Sequence, residues 1–287
     1  MNHWQIGNVS VTRIVEMEVT GGSKFILPDA TREACLPIEW MQPNFMDHEG
    51  NLIMSIHALI IDTGDKRIIV DTCVGNDKER NIPSWSNLQT SFLKELEEAG
   101  YPRESIDSVM CTHLHVDHVG WNTMLVNDEW IPTFPNAQYL ISEKEWIYWD
   151  KNENEDLYGP VISDSVRPVI EAGMVNFVDD HFRICDEVNL FPTPGHTPGH
   201  VSVLINSKKE MAMITGDFIH HPVQMTKTDW CSSADYDKRQ GQLTRETLLE
   251  EYVDQDVLII GTHFATPTAG YIKRLEEGGY WLDVNKF

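Results

Sequence analysis

The 287 residues fit one large domain or two small ones, and a chain 41% hydrophobic and 23% charged has an ordinary globular balance. No window approaches the ~18 apolar residues that cross a membrane, and residues 1–6 lack the basic and apolar regions of a secretory signal, so a cytoplasmic location is expected. A net charge of −23 repels phosphate backbones and anionic lipid, which weighs against a nucleic-acid or membrane-surface role.

In chain order, strands are expected at 9–14, 55–62 and 67–71, the last two joined through the turn Thr63-Gly64-Asp65. A helix is expected over 88–99, with Phe92, Leu93 and Leu96 on one face and Gly100 as its stop. A buried strand at 105–111 follows, then a strand at 137–141. Ser142 reads as the cap of a short helix, with Glu145 completing a capping box. The second half alternates again, with strands at 174–178, 201–205, 211–215 and 257–260 and helices at 163–172, 244–253 and 269–277. Strands interleaved with helices predict an α/β layered domain. No internal repeat or linker divides the chain. Five cysteines (Cys35, Cys73, Cys111, Cys185 and Cys231) show no C-x-x-C spacing, which suits a reducing compartment and gives no thiolate zinc site.

The strand at 105–111 delivers the chain into Thr112-His113-Leu114-His115-Val116-Asp117-His118, three imidazoles and a carboxylate in six positions. Alternate residues His113, His115 and Asp117 can point one way from an extended turn, while His118 breaks the alternation and can face a second ion. His196 in Pro-Gly-His-Thr, Asp217 in Thr-Gly-Asp and His263 in Gly-Thr-His each follow a predicted strand. Imidazole suits zinc, iron and related divalent ions, and a carboxylate can bridge two of them. Seven such ligands are enough for two metal ions that share one carboxylate.

With these motifs in this order, the chain resembles the metallo-β-lactamase superfamily over residues 53–280. The resemblance implies one αβ/βα four-layer sandwich over 1–287, with two mixed β-sheets flanked by helices and a metal site at one edge. It assigns His113, His115 and His196 to a first metal, Asp117, His118 and His263 to a second, and Asp217 to both. Asp71 in Ile-Val-Asp-Thr matches the Asp that orients the ligand loop. The Gly-Asp217-Phe-Ile-His-His segment and the Thr262-His263-Phe-Ala-Thr-Pro tail look most like the lactonase and methyl-parathion-hydrolase branch. In that branch the acyl-homoserine lactonases carry a Tyr three residues after the bridging Asp. This chain has His220 there, which can itself donate to a carbonyl oxygen.

The expected function is a dinuclear hydrolase that cleaves lactones or carboxylesters with a metal-bound hydroxide, zinc being the first choice and manganese, iron or cobalt also suiting the donors. Asp117, Asp217 and His220 are the expected catalytic residues. Phosphotriester or thioester cleavage at the same site, or an iron-dependent dioxygenase of the same fold, are the alternatives. Trp121, Phe218 and Phe264 adjoin the ligand loops and are expected to line an apolar pocket for a neutral, hydrophobic substrate. Residues 20–52, rich in Gly and Pro, are expected to form an arm over the site or a homodimer contact.

Overall fold

The computed structural model describes residues 3–152 and 158–285. Its first half runs β1 (His3–Ile6), β2 (Val9–Thr20), β3 (Ile53–Asp62), β4 (Arg67–Val70), β5 (Ser108–Cys111), β6 (Thr123–Val126), β7 (Glu129–Pro132), β8 (Gln138–Ser142) and β9 (Val175–Val178). β6 and β7 pair as a separate hairpin, and the other seven strands form one sheet in the order β1-β2-β3-β4-β5-β8-β9. The second half supplies β10 (Val188–Pro192), β11 (Val201–Ser207), β12 (Glu210–Ile214), β13 (Val257–Ile260), β14 (Ala269–Arg274) and β15 (Tyr280–Asp283), a sheet in sequential order. Both sheets are mixed. β4-β5-β8-β9 run parallel in the first and β12-β13 in the second.

The helices are α1 (Arg32–Cys35), α2 (Phe92–Glu98), α3 (Glu143–Asn152), α4 (Arg167–Glu171), α5 (Val223–Thr226) and α6 (Lys238–Tyr252). Strand periodicity sorts the core into layers. On β3, Leu59 and Ile61 meet Val203, Ile205 and Ile214 of the facing sheet, whereas Ala58 and Ile60 pack with Phe92 and Leu96 of α2. The outer face of the second sheet, through Met213 and Ile259, packs with Leu248 and Leu249 of α6. The result is helix, sheet, sheet, helix: an αβ/βα sandwich. Residues 27–52 lie on that outer face as well, burying Leu27, Met41, Phe45 and Leu52. None of the described helices is long and apolar enough to cross a membrane.

Several expected elements change on folding. Residues 269–277 do not form a helix. Ala269 and Gly270 pair with Ile260 and Ile259, and β15 pairs along the far side, so sheet hydrogen bonding overrides the helical reading of the Lys-Arg-Leu-Glu-Glu tail. Ser142 ends β8, and its hydroxyl makes no bond, while Glu145 turns inward; there is no capping box. α2 starts only at Phe92, because Gln89 and Thr90 are tied back to Asp77 and Asn76. α6 begins earlier than expected, at Lys238, where the Asp237 carboxylate caps the Gln240 N–H at 2.9 Å. The 163–172 segment opens with a π-helical turn, Ile162–Val166, before α4.

Gly120 shows how closely the ligand-bearing loop is docked. Its N–H donates to the Cys73 carbonyl at 2.7 Å, and a Cβ there would meet the Val74 carbonyl oxygen at 1.9 Å. Gly120→Ala is therefore expected to cost about 3 kcal/mol, read as a Tm lower by roughly 5–10 °C. An unchanged melting curve would contradict that docking.

Candidate metal centre

Two parallel strand pairs, one in each sheet, aim their C-terminal ends at one edge of the sandwich. In the first sheet, β4 ends at Val70 beside Met110 of β5. Asp71 follows in a left-handed conformation (φ 58°), a strained setting for a non-glycine residue. Its carboxylate accepts the Thr112 N–H at 2.8 Å, the Thr112 hydroxyl at 2.9 Å and the His118 Nδ1–H at 2.8 Å. One buried side chain thus grips both ends of the 112–118 loop. In the second sheet, β12 and β13 align Ile214 with Ile260, and Asp217 and His263 each stand three residues further on. Thr262 joins these two turns, its hydroxyl standing 2.8 Å from the Gly216 carbonyl and 3.1 Å from Asp217 Oδ1 and sharing its one proton between them. His196 comes from the loop between β10 and β11.

The structure brings all seven sequence-predicted ligands together. Among the described residues, donor atoms within 4.8 Å of one another form four groups: His113/His115/His196, His113/His118/Asp217, Asp117/His118/His263 and His196/Asp217/His220. Asp217 Oδ2 lies at their junction, 3.2 Å from His263 Nε2, 3.3 Å from His118 Nε2, 3.6 Å from His196 Nε2 and 3.9 Å from His113 Nε2. Asp117 sits at the rim, 3.6 Å from His263 and 3.7 Å from His118.

The outer hydrogen bonds show what this arrangement is built to receive. Nδ1 of His118 faces Asp71, Nδ1 of His196 faces Asp235 at 2.8 Å, and Nδ1 of His263 faces the Ser55 carbonyl at 3.0 Å. The Thr112 hydroxyl, already donating to Asp71, can only accept from His113 Nδ1, at 3.1 Å. In the neutral tautomer each ring then presents an Nε2 lone pair inward. His115 offers Nδ1 instead, 3.1 Å from His113 Nε2 and 2.9 Å from His196 Nε2. Lone pairs converging on lone pairs and on carboxylates, away from water, are complementary to divalent cations.

Burial and the neighbouring carboxylates pull the rings in opposite directions. Burial lowers His118 and His263, but Asp217 and its neighbouring carboxylates outweigh it, holding His118 well above the usual imidazole range and His263 at about 9. Burial and the adjacent imidazoles push His113 and His115 well below it. Asp217 is held well below the usual carboxylate range because His263, His118 and His220 overcome its burial.

His220 is 1% exposed, and among the described residues neither ring nitrogen has an aligned hydrogen-bond partner, although Nε2 is 3.3 Å from Asp217 Oδ2. Burial lowers it to about 3, so it stays neutral at working pH. It lines a cavity of about 330 Å³ that opens over His115, Asp117, Asp217 and His263. The walls are Met17, Val19, Phe25, Ile26, Met54, Ile56, Ile82, Trp85 and Tyr158, with Gly21, Gly22 and Ser23 of the 20–52 segment contributing.

The expected pocket residues Trp121, Phe218 and Phe264 are not among these walls. Trp121 points into the first core, stacked on Phe92 at 5.6 Å and donating its Nε1–H to Glu16 at 2.7 Å. Phe218 and Phe264 belong to the core under α6, and Phe264 fills the space beside Gly261. Phe218 and Phe264 directly follow ligand candidates and Trp121 lies three residues past His118, and neighbours along a turned chain point apart. Sequence reasoning also missed two buried carboxylates. Glu145 accepts the Leu114 N–H (3.1 Å), the Gly199 N–H (3.0 Å) and the Trp149 Nε1–H (2.8 Å), tying the 113–118 loop to the 193–200 loop. Asp235 holds His196. A Glu three residues into a helix gave only the capping signal, and nothing local marked Asp235.

A family model described as the metallo-beta-lactamase superfamily matches residues 54–272. An N-acyl homoserine lactonase of Bacillus cereus is 24% identical over 182 residues, 58% of this chain and 66% of that relative. A probable metallo-hydrolase of Mycobacterium tuberculosis is 22% identical over 245 residues, 72% of this chain and 74% of the relative. The chain spans less than two thirds of the length of the Bacillus lactonases it matches. Among solved structures, the hydrolase AbOPH superposes with a TM-score of 0.80 at 23% identity, covering 98% of this chain and 96% of the other. AidC, a dizinc quorum-quenching lactonase, gives 0.78 at 22% identity with the same coverage. These two likenesses show a shared fold.

Two measurements probe the centre. Glu145→Ala leaves three buried donors unpaired, and is expected to cost about 3 kcal/mol or more, a fall in Tm of roughly 5–10 °C. A divalent cation held by His263 would have to displace the proton that Asp217 and Asp117 favour on that ring, whose pKa they raise to about 9. Apparent zinc affinity should therefore rise with pH toward 9, by about tenfold per unit for each proton displaced. Chelator competition at pH 6, 7 and 8 checks this, and a flat profile would contradict it.

Proposed function

The chain belongs to the metallo-beta-lactamase superfamily, and from that premise we propose that it is a dinuclear metal-dependent hydrolase of lactones or carboxylesters. The observation that carries this reading is the convergence of seven buried or half-buried donors, five of which (His115, Asp117, His196, Asp217 and His263) line the floor of an apolar cavity. His113, His115 and His196 would hold the first ion, Asp117, His118 and His263 the second, with Asp217 between them. When bound, two divalent ions, zinc most simply, would supply an acidified water and a Lewis acid for the carbonyl oxygen.

The chain's own groups do the rest. Asp117 is the ligand carboxylate most open to the cavity, with its side chain 14% exposed. It is placed to carry a proton from the attacking water to the leaving alkoxide. His220, neutral and with unengaged nitrogens, is the donor for the substrate's carbonyl or leaving oxygen. The walls are mostly apolar, and none of the lining residues among those described is Lys or Arg. A neutral acyl group is accommodated there, whereas an anionic phosphodiester would find no fixed cation beyond the metals. The lactonase relatives point the same way.

A panel of lactones, aryl esters, thioesters and phosphotriesters, run beside elemental analysis, tests the reading. Two metals with lactone or ester turnover are expected. One iron with oxygen consumption and no hydrolysis would overturn it in favour of an oxygenase. Asp217→Ala should lose metal and turnover together. His220→Ala should keep both metals while kcat falls about 10²-fold, and an unchanged kcat would remove His220 from the mechanism.

A further inference from the structure

We propose that Asp235 is the positioning carboxylate of the first metal site, as Asp71 is for the second. The inference rests on the dinuclear reading above. Asp235 Oδ1 accepts the His196 Nδ1–H at 2.8 Å, and Oδ2 accepts the Ser232 N–H at 2.8 Å. The side chain is 2% exposed. It belongs to none of the groups of convergent donors, and both of its oxygens are already used. It therefore acts through His196, without touching an ion.

Its own segment is fastened to the loop it serves. The Tyr236 N–H donates to the His196 carbonyl and the Asp237 N–H to the Gly195 carbonyl, both at 2.9 Å. On the other side, the Ser233 N–H donates to the Ile26 carbonyl at 2.9 Å, joining the segment to the cavity wall. The carboxylate thus approaches the ring from a frame that already grips the ring's backbone.

A carboxylate on Nδ1 fixes the tautomer, aims the Nε2 lone pair and makes the imidazole a better donor to a cation. His113 receives a hydroxyl in that role and His263 a backbone carbonyl, both neutral. Charged partners sit on His196 and His118 alone among these four rings, one in each triad. This distribution makes the effect of Asp235 specific to one site.

The test is stepwise zinc affinity of the full chain, measured against a chromophoric chelator, together with the Tm of the metal-free protein. Wild type should bind two zinc ions. In Asp235→Ala, one ion should weaken by about 10–100-fold and the other stay unchanged. Asp235→Asn, which keeps an acceptor oxygen, should fall between. Added to His263→Ala, which removes a second-site ligand, Asp235→Ala should weaken the remaining ion by the same factor. Unchanged affinities would overturn the proposal. So would equal weakening at both sites with a lowered metal-free Tm, the mark of a merely structural role. If wild type takes up no zinc, the dinuclear reading falls and this inference with it. If wild type binds two ions and Asp235→Ala does the same, only this inference falls.

Discussion

Everything at the working edge of this protein depends on holding like against like. Five imidazoles turn ring nitrogens toward one another and toward Asp217, some at 2.9–3.2 Å, where water cannot screen them. Such a cluster is costly without a counter-charge. A rigid frame has to hold it together. The two parallel strand pairs supply that frame, because adjacent parallel strands end side by side and point their following turns the same way. The same offset from β12 to Asp217 and from β13 to His263 follows from the register alone.

The turns are then fixed by buried carboxylates bonded to backbone N–H groups. Asp71 grips the ends of the 112–118 loop. Glu145 spans from that loop to the one carrying His196. Glu16, pushed up by burial, accepts the Val74 and Gly75 N–H groups and Trp121, anchoring the strip on which Gly120 lies. A buried carboxylate is tolerable only when its lone pairs are filled, and loop amides with no secondary-structure partner are the donors available. The acidic composition and the loop architecture therefore meet in the same residues.

Above the centre the chemistry changes abruptly. The charged and imidazole groups are confined to the floor, and the walls are built mostly from Met, Ile, Val and aromatic side chains drawn from β2, β3, the 20–26 segment and the loop at 82–85. Water exclusion strengthens each electrostatic contact on the floor. A net charge of −23 on the whole chain adds a field that disfavours anionic ligands at a distance.

The metal-type donors were legible in the sequence because their signal is local: a dense histidine run, and Gly- or Thr-flanked turns after apolar strands. The layered class was legible too, since period-two and period-3.6 patterns record which faces are buried. Three things were decided only by tertiary structure. Residues 269–274 of the expected 269–277 helix became a strand because a neighbouring edge was open to pair with them. Trp121, Phe218 and Phe264 turned into the cores, although each adjoins the ligand motifs, because side-chain direction depends on the turn and not on nearness in sequence. Asp235 and Glu145 reached ligand loops 39 and 31 residues away. A contact between distant segments leaves no local pattern to read, so the sequence by itself names the donors, while only the fold shows what holds them and what surrounds them.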